Sequence, residues 1–480
     1  MSKENVAAQS LSVKRKQSTQ PLPRTDAGNA EFFTALWKER VRYHHGRKCW
    51  FLWQGHWWAE DSKQEVMQLA KRAIRFRRRQ AHQLPPEYRG EEIEWTYQSE
   101  SKRALEAVLS LAMSEPKLSA SGDEWDKDPY LFGVANGVLN LRTGKLRQGR
   151  PRDLISVHTD VAYDAKATCP RWLQFLDEIF GGDRELIHFI HKAIGYCLTG
   201  ETTEQAIFLC CGIGANGKST YLEVVRHACG GYGFNLPFAS FEMKARADIP
   251  NDLAALCNRR FVTANETNES AQLNEARIKS LTGGDKVTAR FLHKEWFEFV
   301  PKAKYWLAVN AKPQVADDSE GFWRRMRVIP FNQNFSKDKA DKDLLSTLKK
   351  EAPGILAWAV EGCLAWQREG LGVPQAIADA TSSYKEESDE VGEFIEDLCI
   401  VQKDACVSAT ELWRCYHHWA FSTSRKPLER KVFSARLQAK QFHKKRFGHA
   451  RDWTWFGLRI RLEIETVASI QVVPAGSQVI

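Results

Sequence analysis

Residues 207–220 read IFLCCGIGANGKST. The apolar run Ile207 to Cys211 predicts a strand buried on both faces of a parallel sheet. Gly212, Gly214 and Gly217 then turn the chain into Lys218 and Ser219, completing the spacing G-x-x-x-x-G-K-S, and a helical pattern runs on from Tyr221 to Cys229. Strand, glycine-rich turn and helix in that order predict a phosphate-binding loop. Glycines let backbone N–H groups curl around phosphate oxygens, and the helix N-terminus adds positive partial charge. The candidate cradle is therefore Gly212, Ile213, Gly214, Ala215, Asn216, Gly217, Lys218, Ser219 and Thr220. Lys218 is placed to reach the β- and γ-phosphates and the Ser219 hydroxyl to ligate Mg2+. A nucleoside triphosphate is the expected ligand.

Downstream, two further apolar runs read as neighbouring strands. Phe261–Ala264 ends on Asn265 and Glu266, and Tyr305–Val309 ends on Asn310. In nucleotide-hydrolysing sheets the strand beside the phosphate loop carries acids that hold Mg2+ and orient water. Glu266 is the acid at that strand end, so it takes the base role and, with Ser219, the metal role. Asn310 is placed to reach the γ-phosphate or the attacking water. The stretch GFWRRMRVIPF puts Arg324 and Arg325 before another strand, where an arginine can reach a neighbouring subunit's nucleotide. Between these strands, Val287–Phe299 alternates about a polar tip and predicts a β-hairpin. Arg290, His293 and Lys294 on it are candidates to grip a phosphate backbone.

Composition sets the frame. A chain of 480 residues has room for roughly three domains, and 43% hydrophobic residues with 17 Trp can fill globular cores. The eleven cysteines show no zinc-like spacing and suit a reduced compartment. No apolar run approaches the roughly eighteen residues of a membrane span, so a soluble, cytoplasmic protein in a bacterial host cytosol is expected, with no membrane partner. Between Arg425 and Arg461, twelve Lys and Arg face two acids, Glu429 and Asp452, a local net of +10 against +9 for the whole chain. One basic patch thus carries the excess charge and points to a polyanion.

The domain reading follows the same signals. Residues 1–29 are polar and predict a disordered tail. Residues 30–128 predict a small α+β region with a helix from Ala30, a hairpin at Gly55 among Trp50, Trp53, Trp57 and Trp58, and a basic helix ending in Arg75, Arg77, Arg78 and Arg79. The aromatic cluster reads as core, with a base-stacking platform as the alternative. Asp123, Asp126 and Asp128 read as a solvated turn. Residues 129–200 predict short strands and two helices broken at Gly181-Gly182, residues 201–372 the nucleotide-binding domain, and residues 373–390 a polar linker. In 391–465, three helices and a strand pair outline a winged helix. Arg430, Lys431, Arg436 and Lys440 lie on its third helix and Lys444 and Lys445 on its wing, all candidate DNA contacts. Residues 466–480 predict a tail.

Together, GIGANGKST, FVTANET, LTGGDKVTARFLHKEWFEF, YWLAVN and GFWRRMRVIPF resemble the phage and plasmid DNA primase-helicases of helicase superfamily 3, the group that includes the poxvirus primase-helicase. DPYLFGVANGVLNLRTGKL is similar to the domain preceding the ATPase there, and LERKVFSARLQAKQF to its C-terminal winged helix. The resemblance implies an AAA+-like P-loop ATPase core using ATP and Mg2+. It further implies a homo-hexameric ring around single-stranded DNA, moving 3′ to 5′ and unwinding forked DNA in phage, satellite or plasmid replication. It assigns Lys218 and Ser219 to phosphate and metal, Glu266 to the second motif, Asn310 to the sensor, Arg325 or Arg324 to the finger, and His293 and Lys294 to the translocating hairpin. Asn265 stands where some members carry an acid. The residues before 129 show no zinc-type cysteines and no convincing pair of strand-borne acids, so priming is not expected and a separate primase is an expected partner. The alternative readings are an ATP-driven origin-binding or loading protein acting on origin duplex, or an ATPase acting on another nucleic acid.

Overall fold

The computed structural model describes residues 22–243, 251–266, 271–290, 296–317, 319–335, 341–423, 425, 427–447 and 452–461. The expected tails lie outside these residues for the most part, as do His293 and Lys294 at the hairpin tip.

The N-terminal unit opens with helix α1 (Asp26–Trp37), four residues before the sequence pattern suggested. Thr25 sets that start, because its hydroxyl accepts the Gly28 N–H as an N-cap. Strands β1 (Val41–His44), β2 (Cys49–Trp53) and β3 (Trp58–Glu60) follow, with Trp53 paired to Trp58 across Gly55 (φ +98°). Helices α2 (Glu65–Ala81), α3 (Pro86–Gln98) and α4 (Lys102–Ala112) lead to the short β4 (Ser119–Ala120), which pairs in parallel with β1. Of the aromatic cluster, Trp58 is core, buried with Phe51 and Trp125, while Trp50 and Trp53 are half-buried against the cores and Trp57, also half-buried, stacks on His158 at 3.8 Å. The arginine run does not form one face. Arg77 is buried, its Nε 2.6 Å from Glu92 and its Nη1 2.9 Å from Asn29, while Arg78 pairs with Glu100 at 2.7 Å.

Asp126 is likewise no solvated turn residue. It is buried with φ +49° and accepts from Ser156 N at 2.8 Å and Asn258 Nδ2 at 3.1 Å, and Lys302 donates to its carbonyl at 2.6 Å. With the Ser156 hydroxyl as its third donor, the carboxylate ties the N-terminal unit to residues 156 and 258 and offsets its own desolvation.

An antiparallel meander of β5 (Leu131–Val134), β6 (Gly137–Asn140) and β7 (Lys145–Arg147) precedes helices α5 (Pro170–Ile179) and α6 (Arg184–Leu198). The break between those helices falls at Gly181 and Gly182, both at positive φ. The central layer then forms from β8 (Ile207–Cys211), α7 (Lys218–Cys229), β9 (Gly233–Asn235), α8 (Asn251–Ala254), β10 (Phe261–Asn265), α9 (Glu275–Gly283), β11 (Val287–Ala289), β12 (Phe297–Phe299), β13 (Lys304–Val309), α10 (Glu320–Trp323) and β14 (Met326–Pro330). Its five-stranded sheet runs β14-β8-β13-β10-β9, every pairing parallel. Alternate side chains bury on opposite faces. Phe208, Cys210 and Trp306 enter the core shared with α6 and α7, whereas Ile207, Leu209 and Tyr305 enter the core shared with α9. Two-sided burial is why these strands read as unbroken apolar runs.

Helices α11 (Leu344–Lys350), α12 (Ala352–Glu369) and α13 (Gln375–Glu387) close the layer. Helix α12 meets α6 backbone to backbone: a Cβ at Gly195 would lie 2.0 Å from Cys363 N, and one at Gly362 2.1 Å from His191 O. The expected linker is instead α13, packed on β14. Its apolar stripe is narrow, Ile377 and Tyr384 being the buried side chains, and Thr381 accepts the Val328 N–H at 3.2 Å, so a mostly polar segment still docks.

The C-terminal unit contains α14 (Glu390–Leu398), β15 (Cys399–Ser408), α15 (Ala409–Ser422), α16 (Arg430–Ala439), β16 (His443–Phe447) and β17 (Asp452–Ile460). Strand β15 was not legible in the sequence. Its centre, Gln402 to Asp404, is polar, and its register shifts between Val401 and Cys406, which breaks the period-two pattern. The sheet order is β15-β17-β16, antiparallel throughout.

Candidate nucleotide site

The loop between β8 and α7 is held by the protein's own backbone. Asn216, buried, donates to the Phe331 carbonyl at 3.2 Å, and Phe335 N donates to the Ala215 carbonyl at 2.8 Å. These two bonds brace the loop on the segment following β14. Gly217 caps α7 with φ +85°, and a Cβ there would stand 2.7 Å from Ile179, so neither backbone nor space admits a side chain. Braced from beneath, the loop presents Ile213, Gly214, Ala215 and Ser219 to solvent, Ile213 at 86% exposure.

Parallel register brings three strand ends together at this loop. Cys211 pairs with Val309, and Ala308 pairs with Asn265, so Asn310 and Glu266 emerge beside Gly212. Lys218 is buried beneath them. Its ammonium donates to the Gly212 carbonyl and lies 3.3 Å from Asn310 Oδ1. Burial pushes its pKa below the ordinary lysine value, opposed by Cys211, Cys210 and Glu266 nearby. Asn310 N in turn donates to Glu266 Oε2 at 3.2 Å. Lys218, Asn310 and Glu266 therefore form one connected chain across β8, β13 and β10.

Ser219 opens onto a cavity of about 150 Å³ that it shares with Glu223, Asn235, Thr263 and Asn265. Asn235 and Thr263 are polar members that sequence patterning did not single out. Thr263 sits inside an apolar run, and only the parallel pairing of β9 with β10 sets Asn235 opposite it, 3.0 Å from its hydroxyl. Among the described residues, no three His, Cys, Asp or Glu side chains gather in a metal-binding group. Glu223, the carboxylate in this lining, is paired with Arg226 and, at 2.9 Å, with Lys349, which leaves neutral hydroxyl and amide oxygens there, a set compatible with an Mg2+ that keeps several waters and takes phosphate oxygens as ligands.

The two candidate arginines sit elsewhere. Ile207 N, at the opposite end of β8 from the loop, donates to the Arg325 carbonyl at 2.9 Å. Arg325 is 8% exposed and spends its guanidinium on Thr282 Oγ1 at 3.2 Å and the Gly321 carbonyl. Arg324 is exposed, bonded to Gln205 Oε1 at 2.6 Å. Of the pair, Arg324 is the one facing outward. Arg290 lies over the Trp296 ring at 4.7 Å, on the hairpin that pairs β11 with β12.

In the C-terminal unit, Arg430, Lys431 and Lys445 are exposed. Arg436 is not on that face: it is buried and donates to the Ala316 carbonyl at 2.6 Å, in the segment between β13 and α10. Lys440 is paired with Asp389. Both are committed to the protein's own packing, a correction to their reading as DNA contacts. Lys444 lies 5.5 Å from the Trp453 ring.

Residues 30–181 match the family described as D5 N terminal like, and residues 210–325 match a family of unknown function, DUF5906. Curated relatives include "Putative helicase L207/L206" of Acanthamoeba polyphaga mimivirus, 28% identical over 61% of this chain and 33% of that protein. "Putative helicase 022R" of Frog virus 3 is 23% identical over 63% of this chain and 40% of its own length. "Putative primase C962R" of African swine fever virus is 28% identical over 48% of this chain and 25% of that protein. The chain thus spans about a third of the length of the curated relatives it matches. Its fold is similar to "The apo structure of NrS-1 C terminal region (305-718)", with TM-score 0.52 and 10% identity over 90% of this chain and 99% of that one. No helix among the described residues is long and apolar enough to cross a membrane. Over residues 30–181 the chain is thus similar to the family described as D5 N terminal like, and over 61–63% of its length it is similar to viral proteins named putative helicase.

Proposed function

We propose that this chain is an ATP-driven DNA helicase that moves 3′ to 5′ along single-stranded DNA as a ring, a homo-hexamer. The observation that carries the reading is the convergence of Lys218, Asn310 and Glu266 on one exposed glycine-rich loop at the carboxyl ends of three parallel strands. Relatives named helicase among large DNA viruses favour unwinding over other uses of ATP.

In this reading the loop N–H groups and Lys218 bind the β- and γ-phosphates. Lys218 exchanges the Gly212 carbonyl and Asn310 for phosphate oxygens, recovering the cost of its burial. Ser219 holds Mg2+, which neutralises charge developing on the transferred phosphoryl group. Glu266, positioned by the Asn310 N–H, orients the attacking water, and Asn310 reads the γ-phosphate. Arg324, at the opposite end of the strands from its own loop, serves the neighbouring subunit's nucleotide, which is the geometric reason to expect a ring. The C-terminal unit is the DNA-binding winged helix, and the sheet with its loop the AAA+-like P-loop core. The test of the site is Lys218→Ala, expected to lower ATP hydrolysis by about 10²–10³-fold. Hydrolysis at the wild-type rate overturns the assignment.

A further inference from the structure

The cations of α16 leave its role as a groove-reading helix incomplete, since Arg436 and Lys440 are bound to the body of the protein. The neighbouring β16–β17 hairpin is different. Register places Lys444 opposite Trp455 and Arg446 opposite Trp453, all on one face, while Lys445, Phe447 and Phe456 share the other. Trp455 is 1% exposed and belongs to the domain core. Two residues away on the same face, Trp453 is 50% exposed. The hairpin therefore outruns the core between those two positions. On the opposite face Phe447 is 58% exposed and rests edge-on against Phe456 at 5.4 Å.

Trp453 stands between two cations, and Lys445 shares the face of Phe447. Arg446 lies 5.4 Å and Lys444 5.5 Å from Trp453, and Lys445 and Arg446 are themselves exposed. Among the described residues these three cations make no ion pair, the pairs of this unit being Arg425–Glu393 and Lys440–Asp389. Large aromatic side chains open to solvent beside unpaired cations mark an interaction site, and its occupant must satisfy both features. A ligand that offers flat apolar faces every few ångströms along a chain of negative charge fits both features, and that is single-stranded nucleic acid. An intact duplex does not, because its base faces are stacked against one another.

We propose that Trp453 and Phe447 form a base-stacking site for single-stranded nucleic acid, with Lys444, Lys445 and Arg446 holding the adjacent phosphates. The site rests on the proposed helicase reading and deepens it. It places an aromatic wedge on the C-terminal unit, where an unpaired base leaving a fork is held against re-pairing.

The test is equilibrium binding by fluorescence anisotropy at fixed salt, using the full chain and three labelled probes: a single strand, a blunt duplex, and the single strand with abasic sites. Trp453→Ala is expected to weaken single-strand binding about tenfold and duplex binding less than about twofold, with Trp453→Phe retaining most of the affinity. Phe447→Ala, on the other face, is expected to act in the same direction. For the abasic strand, wild type and Trp453→Ala are expected to bind alike. Single-strand affinity unchanged in both alanine variants, or an equal loss for strand and duplex, overturns the stacking site. A wild-type chain that binds none of the three probes overturns the helicase reading itself, so the two failures are distinct.

Discussion

At the scale of single residues, the site is a set of polar groups whose partners are supplied by the protein while the loop is exposed. Lys218, Ser219, Glu266 and Asn310 were legible because each sits at a fixed offset from a strand end or a glycine motif, and local spacing alone places it. Arg325, Arg436 and Asp126 were not. Their partners are Thr282, Ala316 and Asn258, lying 43, 120 and 132 residues away, and a charged residue with no visible partner reads as surface. His44 gives a residue-scale prediction. Burial among Phe51 and Trp125, with Arg47 nearby, lowers its pKa from 6.5 to about 4, and its neutral Nδ1 accepts the Arg47 N–H at 3.1 Å. A histidine whose folded pKa is depressed contributes stability that is complete above pH 6.5 and is lost as pH falls toward 4, because the unfolded chain takes up the proton first. Denaturant unfolding of the N-terminal unit is expected to weaken across that window in wild type. In His44→Gln the same window should show a flatter response, and an equal slope in both would remove His44 as the cause.

At the scale of elements, the buried parallel strands and the helix break at Gly181-Gly182 were legible, since two-sided burial and paired glycines leave strong local signatures. The helix α13 and the strand β15 were not. A stripe as narrow as Ile377 and Tyr384 is hidden among polar neighbours, and a register shift cancels the alternation that marks a strand. Helix packing yields a direct prediction. The α6–α12 contact leaves no room for a methyl at Gly195, where a Cβ would meet the Cys363 backbone at 2.0 Å. Gly195→Ala is therefore expected to destabilise the protein by about 1–3 kcal/mol, because the clash is with backbone rather than a movable side chain. Unchanged thermal unfolding would mean that the two helices can separate at little cost. Gly217→Ala is expected to act on the loop as well as on stability, since φ +85° and Ile179 both oppose a side chain. Loss of nucleotide affinity, read by calorimetric titration with ATP and Mg2+, is the expected outcome.

At the scale of the whole molecule, the contacts that join the N-terminal unit, the parallel sheet and the basic C-terminal unit were not legible in the sequence. Asp126 and Arg436 join them through groups that looked solvated. The sheet also separates the loop from Arg324 by the full length of β8, so one subunit cannot bring both to the same phosphate. Mixed assemblies test that arrangement. Arg324→Ala subunits combined with Lys218→Ala subunits are expected to recover part of the hydrolysis that each variant lacks alone, because some interfaces then pair an intact loop with an intact arginine. No recovery in rings shown to be mixed would contradict a shared site. The most direct measurement of the central claim is ATP hydrolysis with and without single-stranded DNA, run beside strand displacement on a 3′-tailed fork. Stimulated hydrolysis together with displacement is the expected result, and both should vanish in Lys218→Ala. Hydrolysis by the wild-type chain with no displacement on any fork would contradict the claim.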